Sequence, residues 1–526
     1  MRPDQTQPRP LSELARLLGS EAFVTCVEPS EADSGGPNGA DDDPGATAIS
    51  GITHDSRAVR PGDLYAALPG SRAHGADFAA QAAQSGAAAV LTDPAGYDRA
   101  AATRLPVVTV TDPRAELGRV ASWVYGAPGD DLLLIGTTGT SGKTTVTYLV
   151  ESGLRSAGMT TGLIGTVEMR VGGRRVASSL TTPEATDLHG LFARMREEGV
   201  AAAAMEVSSH ALALGRVGGA RYDVAVFTNL SQDHLDFHSD LRDYFDAKAR
   251  LFTPEHCRIA VVNSDDRFGR VLIDQVRVRG AVPVTTFSTE GDLDADWRAE
   301  DVDLGPLGST FRIAGPGGMR ADASVALPGA FNVSNALAAV VGLVEAGVPL
   351  HSAIEGVAEA PGVPGRMERV DGGQDFTAVV DYSHKPGAIE AVLSALRGVA
   401  EGRVTMVVGC GGDRDRAKRP LMGEAAARLA DALVVTDDNP RTEDPVAIVS
   451  AMLDGVAKVP RDQRARITVE PDRAEAIDLA VRRAGTGDVV VVAGKGHETG
   501  QYVAGEVLPF DDRDVLLAAL RRRAAH

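Results

Sequence analysis

The stretch "LLLIGTTGTSGKTTVTYLVESGL", residues 132–154, constrains this chain more than any other. An apolar run breaks into glycines and then opens directly into a helical pattern at Gly142-Lys143-Thr144. Glycines let backbone N–H groups turn inward around phosphate oxygens, and the helix N-terminus adds partial positive charge. Lys143 then reaches the β/γ-phosphates and Thr144 can ligate Mg²⁺. The strict pattern has glycine where this chain has Thr137, so the loop is a variant with Gly136 and Gly139 on either side. Such a loop belongs at the carboxyl end of a strand in a parallel sheet, which commits this region to an α/β architecture.

At roughly 150 residues per domain, the 526 residues suggest about three domains. Lys and Arg total 53 against 72 Asp and Glu, a formal charge of −19. That balance argues against sequence-independent binding to nucleic acid or an anionic membrane, which demands a basic face. Cys26, Cys257 and Cys410 lie far apart without CxxC spacing, which fits a reducing compartment. The N-terminus lacks a signal-peptide core and no apolar run reaches the roughly 18 residues of a membrane span. The expectation is a cytoplasmic protein without membrane insertion.

Residues 28–48, "EPSEADSGGPNGADDDPGATA", are acidic, rich in Gly and Pro, and read as a disordered insertion. Around them the first ~125 residues alternate short strands and helices. After "YGAPGD" come "LLLIG", "TTGLIGTVEM", "AAAAMEVSSHA", "YDVAVFTNLSQDH" and "RIAVVNSDD", the pattern of a parallel sheet with helical crossovers. A Pro/Gly-rich joint near residue 360 precedes "FTAVVDYSHKP", "RVTMVVGCGGDRDRAKRP", "ALVVTDDNPR" and "GDVVVVAGKGHE". Each reads as a buried strand, a polar loop and then a helix, and ligands of open α/β sheets bind outside the strands' carboxyl ends. The pattern divides the chain into 1–128, 129–358 and 359–526.

Three residues stay ambiguous by pattern alone. Glu206 ends the run "AAAAMEV" and is equally a surface carboxylate or a ligand. His234 in "NLSQDHLDFH" reads as a loop-packing histidine, and Lys248 in "YFDAKARLF" as a solvated lysine.

Taken together, "TGTSGKTT", "MEVSSHAL", "TNLSQDHLDFH", "YFDAKARLF", "GAFNVSNALAA", "PGRMERV", "DYSHKP", "GCGGDRDRAKRPLMG", "DDNPR" and "AGKGHE" resemble the Mur ligases. The resemblance runs in order over roughly residues 50 to 510, and several blocks are those of the branch that adds diaminopimelate. It implies a UDP-substrate-binding domain over 1–128, a central P-loop ATP-binding domain over 129–358 and a Rossmann-like, amino-acid-binding domain over 359–526. Together these would join diaminopimelate to UDP-MurNAc-L-Ala-D-Glu through an acyl phosphate at the expense of ATP, in peptidoglycan precursor synthesis, as a monomer. By matching position it implies that Gly139, Thr140, Ser141, Gly142, Lys143, Thr144 and Thr145 wrap the ATP phosphates. Asn332, Asn335, Arg366, Asp381 and His384 would contact the nucleotide. Thr144, Glu206 and His234 would serve two Mg²⁺ sites, with Lys248 carbamylated by CO₂ into a carboxylate-like ligand, against the solvated reading. Ser56, Ser71, Arg72, Ala73, Thr181, Thr182, Ser208 and Arg216 would hold the UDP-muramyl-dipeptide. Many relatives have Gln where this chain has Leu214, so that hydrogen bond is absent or replaced.

Arg414, Asp438, Asn439, Pro440, Arg441, Gly494 and Glu498 would then hold diaminopimelate. Its distal carboxylate calls for an Arg fork, and a site so equipped rejects lysine because the fork is left unpaired. The competing readings are an L-lysine-adding ligase of the same family and a non-catalytic P-loop regulator. The regulator has no use for a second cluster of polar strand-end loops far along the chain.

Overall fold

The structure, a computed structural model, describes residues 2–4, 6–19, 23–25, 44–177, 180–305 and 308–524. The chain forms two compact units interleaved in sequence: 1–138, 158–225 and 247–259 in one, and 139–157, 226–246 and 260–526 in the other. Both are α/β. No helix among the described residues is long and apolar enough to cross a membrane.

In the first unit, Gly51–Thr53, Asp63–Ala66, Ala89–Thr92 and Val107–Thr109 pair in parallel and in chain order, with Phe23–Thr25 antiparallel at the edge. The strands are short apolar runs covered on both faces, the condition that parallel pairing requires. Leu11, Leu14, Leu117, Val120 and Val124 fill one face, and Tyr65, Ala82, Val90 and Val107 the other. Most of the expected 28–48 insertion lies outside the described residues. Its end does not follow the expectation: Pro44–Ala46 forms a 3₁₀ turn and Ala48–Ile49 pairs antiparallel with Arg9–Pro10. That pairing supplies the backbone partners that composition alone left unaccounted for.

The same unit contains Leu133–Thr138, flanked in parallel by Ala202–Glu206, which in turn pairs with Thr161–Ile164. Helix Pro113–Val124 begins at an Asp112 cap, whose carboxylate accepts from the Arg114 and Ala115 amides, with Pro113 in the first turn. Its Gly118 meets the chain at Gly218 backbone to backbone: a Cβ there would stand 2.2 Å from the Gly218 carbonyl oxygen.

The second unit holds helix Lys143–Ser156 and a run of strands in which Cys257–Asn263, Val284–Ser288 and Trp297–Gly305 pair in parallel. Trp297–Gly305 then turns into an antiparallel meander with Gly308–Gly315 and Met319–Val325. The parallel sheet expected from the sequence is therefore mixed in this region.

Past residue 365 the strands stand in the order Glu368–Arg369, Thr377–Asp381, Val489–Ala493, Val404–Val408, Ala432–Val435, Arg466–Val469. All pairings are parallel except the first. The chain steps outward from Thr377–Asp381 to Arg466–Val469 and then returns to insert Val489–Ala493 near the start. Right-handed crossovers put outward and returning helices on opposite faces. Accordingly Ile389, Leu393, Met422 and Met452 pack on one face, and Ile477, Val481, Leu516 and Leu520 on the other. The reversal places a topological switch point between Val489–Ala493 and its neighbours, and the loops at these carboxyl ends form a crevice. The fourth loop departs from the expected strand–loop–helix pattern: a hairpin, Gly500–Val503 with Glu506–Pro509, precedes helix Asp512–Ala524.

Candidate functional site

The phosphate loop is shaped by two glycines whose positive φ and close neighbours disfavour any side chain. Gly139 has φ +150°, and a Cβ on it would lie 1.9 Å from Thr228 Oγ1. Gly142 has φ +87°, and its Cβ would lie 2.4 Å from Asn335 Oδ1. The rest is pinned from outside: Asn229 Oδ1 accepts from the Ser141 amide at 2.9 Å, and Thr228 Oγ1 donates to the Ser141 carbonyl at 2.7 Å. Thr140 Oγ1 stands 3.2 Å from the Tyr244 hydroxyl. Lys143 Nζ donates to the Gly139 and Thr140 carbonyls at 2.8 and 3.1 Å, so its ammonium sits in the hollow of its own loop. Thr144 and Thr145 are buried. Asn332 donates to the Pro328 carbonyl and accepts from Asn335, both near the start of helix Ala330–Glu345.

Arg366 Nη2 donates to Thr144 Oγ1 at 3.3 Å while its guanidinium lies 4.4 Å from the Tyr382 ring centroid. Asp381 is occupied internally: its carboxylate accepts from the Met367 and Ser383 amides, each at 2.8 Å, and from Ser383 Oγ. Burial raises its pKa. The geometry thus gives Asp381 the task of shaping the loop that carries His384. The His384 imidazole Nδ1 donates to the Tyr382 carbonyl at 2.8 Å, and burial holds its pKa well below the ordinary value, so it stays neutral. The next residue, Lys385, makes an ion pair with Asp233 at 2.5 Å, and Asp233 is 3.0 Å from His234 Nε2. Burial alone would raise the Asp233 carboxyl; His234 and Lys385 override it and hold it well below the usual range. His234 itself is left-handed, φ +55°.

In the first unit, Glu206 ends its strand in register with Thr137, two residues ahead of Gly139 in the chain. The carboxylate is buried and accepts from the Thr166 amide at 2.8 Å. Thr182 Oγ1 donates to the Glu206 carbonyl at 2.9 Å and accepts from the Ser208 amide at 3.1 Å. Thr181 Oγ1 accepts from Thr166 Oγ1 at 3.0 Å, and Ser208 caps helix Ser209–Ala213. Arg216 reaches the Thr182 carbonyl at 3.4 Å and pairs with Glu184 at 2.8 Å. Glu206, Thr181, Thr182, Ser208 and Arg216 therefore form one group. Leu214 merely ends helix Ser209–Ala213.

Ser56 donates to Gln81 Oε1 at 3.2 Å, and Ser71, Arg72 and Ala73 form an exposed tip closed by the Pro69–His74 bridge. No hydrogen bond among the described residues joins either to the Thr181–Arg216 group. The nearest link is His54, 3.1 Å from Thr186. Lys248, expected from composition to be solvated, is 1% exposed.

The remaining group gathers at the crevice beyond residue 400. Asp438, Asn439 and Pro440 are buried. Asn439 Nδ2 donates to Glu498 Oε2 at 2.8 Å, and its Oδ1 accepts from Lys495 Nζ at 2.9 Å and the Tyr502 amide at 3.0 Å. Burial raises the Asp438 carboxyl, and its Oδ2 faces Gly494, whose Cβ would be 3.0 Å away. Arg441, left-handed at φ +54°, donates to the Gly412 carbonyl at 2.7 Å and lies as a parallel bridge beside Val503. Arg414 is exposed on the neighbouring loop and forms no ion pair among the described residues. Behind the loops a fully buried pair, Arg473 and Asp512, is bidentate at 2.7 Å and also holds the Asp437 and Ala493 carbonyls. Glu443 takes both Arg419 nitrogens, at 2.8 and 3.1 Å, and the Arg419 bonds depress its carboxyl to about 2.

Sequence reasoning overlooked Lys385, Arg473, Lys495 and the hairpin. The one available signal was a lysine set between glycines straight after the valine-rich strand Val489–Ala493, a place where a charge must be buried.

No cluster of three or more His, Cys, Asp or Glu among the described residues is arranged to hold a metal alone. Mg²⁺ is normally held by one or two protein oxygens together with substrate phosphates, and the buried Thr144 hydroxyl of one unit and the buried Glu206 carboxylate of the other are each oxygen donors of that kind.

Three family descriptions match the chain: Mur ligase family, catalytic domain, over residues 48–125; Mur ligase middle domain, over 137–343; and Mur ligase, glutamate ligase domain, over 365–496. The UDP-N-acetylmuramoyl-L-alanyl-D-glutamate–2,6-diaminopimelate ligase of Streptomyces coelicolor is 58% identical over 521 residues, 99% of this chain and 98% of that protein. The protein of the same name from Corynebacterium glutamicum is 48% identical, covering 91% and 93%. A solved structure of a ligase of that name superposes with a TM-score of 0.66 at 32% identity, covering 93% of this chain and 98% of that one. MurF from Acinetobacter baumannii, at 20% identity and TM-score 0.65, shares the fold.

Proposed function

The chain belongs to the Mur ligase family, and on that premise we propose that it joins 2,6-diaminopimelate to UDP-N-acetylmuramoyl-L-alanyl-D-glutamate, consuming ATP. It is an ATP-dependent, amide-forming ligase of peptidoglycan precursor synthesis. The observation that carries this reading is 58% identity to a ligase of that name over nearly the whole length of both chains.

The chemistry follows from the poor leaving group of a carboxylate. An oxygen of the D-Glu side-chain carboxylate attacks the γ-phosphorus of ATP, and the bond to the β-bridging oxygen breaks to release ADP. The amine nitrogen of diaminopimelate then attacks the acyl carbon, the carbon–oxygen bond to phosphate breaks, and phosphate leaves as the amine loses its proton. Phosphoryl transfer needs alignment and charge neutralisation more than covalent help. Gly139 to Thr145 are suited to the first need through inward amides, and Lys143 to the second.

In this reading Thr144, Glu206, His234 and a Lys248 carbamate would hold Mg²⁺ at two sites, and the metal would supply positive charge against the phosphates. Supporting the carbamate is the burial of Lys248: an ammonium is expensive there, and CO₂ converts it to an anion able to meet a metal. Asn332, Asn335, Arg366 and His384 line the nucleotide side, with Asp381 holding their loop. Ser56 and the Ser71–Ala73 tip serve uridine. Thr181, Thr182, Ser208 and Arg216 serve the muramyl peptide, whose carboxylate must compete with Glu184 for Arg216. Asp438, Arg441, Gly494, Glu498 and Arg414 serve diaminopimelate, with Arg forks for its distal carboxylate. We further propose domains at 1–128, 129–358 and 359–526, a monomer, and a cytoplasmic location.

The test is phosphate release with the UDP-dipeptide and diaminopimelate supplied separately and together. Release is expected only with both present, and L-lysine in place of diaminopimelate should give little. Turnover indifferent to diaminopimelate sinks the reading, and preference for L-lysine moves the protein to the lysine-adding branch.

A further inference from the structure

The diaminopimelate loops meet on a group that no motif assignment uses. Lys495 is 0% exposed. Its Nζ donates to Asn439 Oδ1 at 2.9 Å, to the Gly500 carbonyl at 2.6 Å and to Glu498 Oε2 at 3.3 Å, with Asp438 Oδ1 at 3.7 Å. An ammonium has three donors, and here all three are taken by the protein. Each acceptor lies on a different piece of chain: the loop after Ala432–Val435, the loop after Val489–Ala493, and the hairpin. Asn439 completes the splice, because the Glu498 oxygen that faces Lys495 also accepts from its amide, and its own oxygen also holds Tyr502 N.

The charges explain why a lysine is needed. Asp438 and Glu498 are two carboxylates drawn into one buried crevice, and Arg473 behind them is matched by Asp512. Without a cation between them the two loops would repel. Asp438 Oδ1 is buried without a hydrogen-bond partner and has Lys495 Nζ 3.7 Å away. Asp438 and Glu498 outnumber Lys495 where the loops meet, which leaves carboxylate charge for an incoming ammonium, while the Arg441 guanidinium donates to the Gly412 carbonyl at 2.7 Å.

We propose that Lys495 is a positioning residue of the amino-acid site: it locks the Asp438–Arg441 loop, the Gly494–Glu498 loop and the hairpin together, and so sets the affinity for diaminopimelate without touching it. The proposal rests on the reading of this crevice as the diaminopimelate site.

The experiment is steady-state kinetics of full-length Lys495→Met, Asn439→Ala, the double variant and Arg441→Ala, varying diaminopimelate and then ATP. Lys495→Met should raise KM for diaminopimelate about tenfold or more and leave KM for ATP essentially unchanged. Asn439→Ala removes part of the same splice, so its effect should be of the same kind. The double variant should fall short of the product of the two single effects. If Lys495→Met does not fold, as judged by circular dichroism, Lys495→Arg, which keeps the cation but not its three-way geometry, is read on the same two KM values and should again raise only that for diaminopimelate. Equal KM changes for both substrates, or none, overturn the role of Lys495. If instead Arg441→Ala leaves the diaminopimelate KM untouched, the assignment of the crevice fails.

Discussion

The phosphate loop and the crevice beyond residue 400 solve the same problem, gripping a charged ligand at strand ends, by opposite means. The first is built from backbone: two glycines in conformations closed to other residues, a helix start, and neighbours that press the loop into shape. The second is built from side-chain charge: Lys495 among carboxylates, Glu443 on Arg419, and Arg473 on Asp512. A triphosphate presents the same oxygens to every enzyme, and amides suffice to meet it. Picking one amino acid requires charges at particular points, and those must be anchored by other charges.

If that contrast is right, the crevice should be the fragile half when a side chain is cut. Arg473→Met leaves Asp512 as an uncompensated buried charge and should cost about 3–5 kcal/mol of stability, read by urea unfolding. A loss below ~1 kcal/mol would mean that water or a shifted partner rescues the carboxylate.

The contrast breaks from the other side if the ATPase half also hangs on one side chain, and Lys248 is where to look. Lys248→Ala should lower kcat on the order of 10²–10³-fold, with formate or acetate restoring part of it by supplying a carboxylate. Absence of rescue would argue against the carbamate.

Gly142→Ala probes the backbone solution itself. A methyl group at φ +87° against Asn335 should cost ~1–3 kcal/mol, seen as weakened ATP binding by calorimetry with diaminopimelate KM unaltered. The smallest effect concerns acid. Glu443 lies near 2 in the folded protein against an ordinary 4.5, so its contribution is fully present above pH 4.5 and is lost as pH falls toward 2. Glu443→Gln should flatten the pH dependence of stability within that window and lower stability slightly at neutral pH, read by urea unfolding at both pH values.

The same contrast governs what could be read from the chain. Backbone devices leave a linear trace: "GTTGTSGKTT" displays its glycine spacing, and "VVVVA" its two-sided burial. Side-chain networks do not, since Lys495, Asn439 and Glu498 span 60 residues of sequence and meet only after the sheet reverses direction. Lys248 shows the limit most plainly, for a helical lysine flanked by Ala247 and Ala249 gives no sign of being enclosed. The meander strands Trp297–Gly305, Gly308–Gly315 and Met319–Val325 went unread for a related reason. They carry charged residues on one side and lack the continuous apolar runs by which the parallel strands announce themselves.

Gly118 and Gly218 carry one further implication. Where side chains intervene, neighbouring segments can slip by repacking, because flexible groups act as a lubricant layer. Here peptide rests on peptide, and helix Pro113–Val124 has no clearance against the turn that follows Arg216. The contact works like a bearing machined without play. Any tilt of that helix is transmitted undamped to the arginine proposed to hold the muramyl peptide, and a single added methyl group would wedge the two apart.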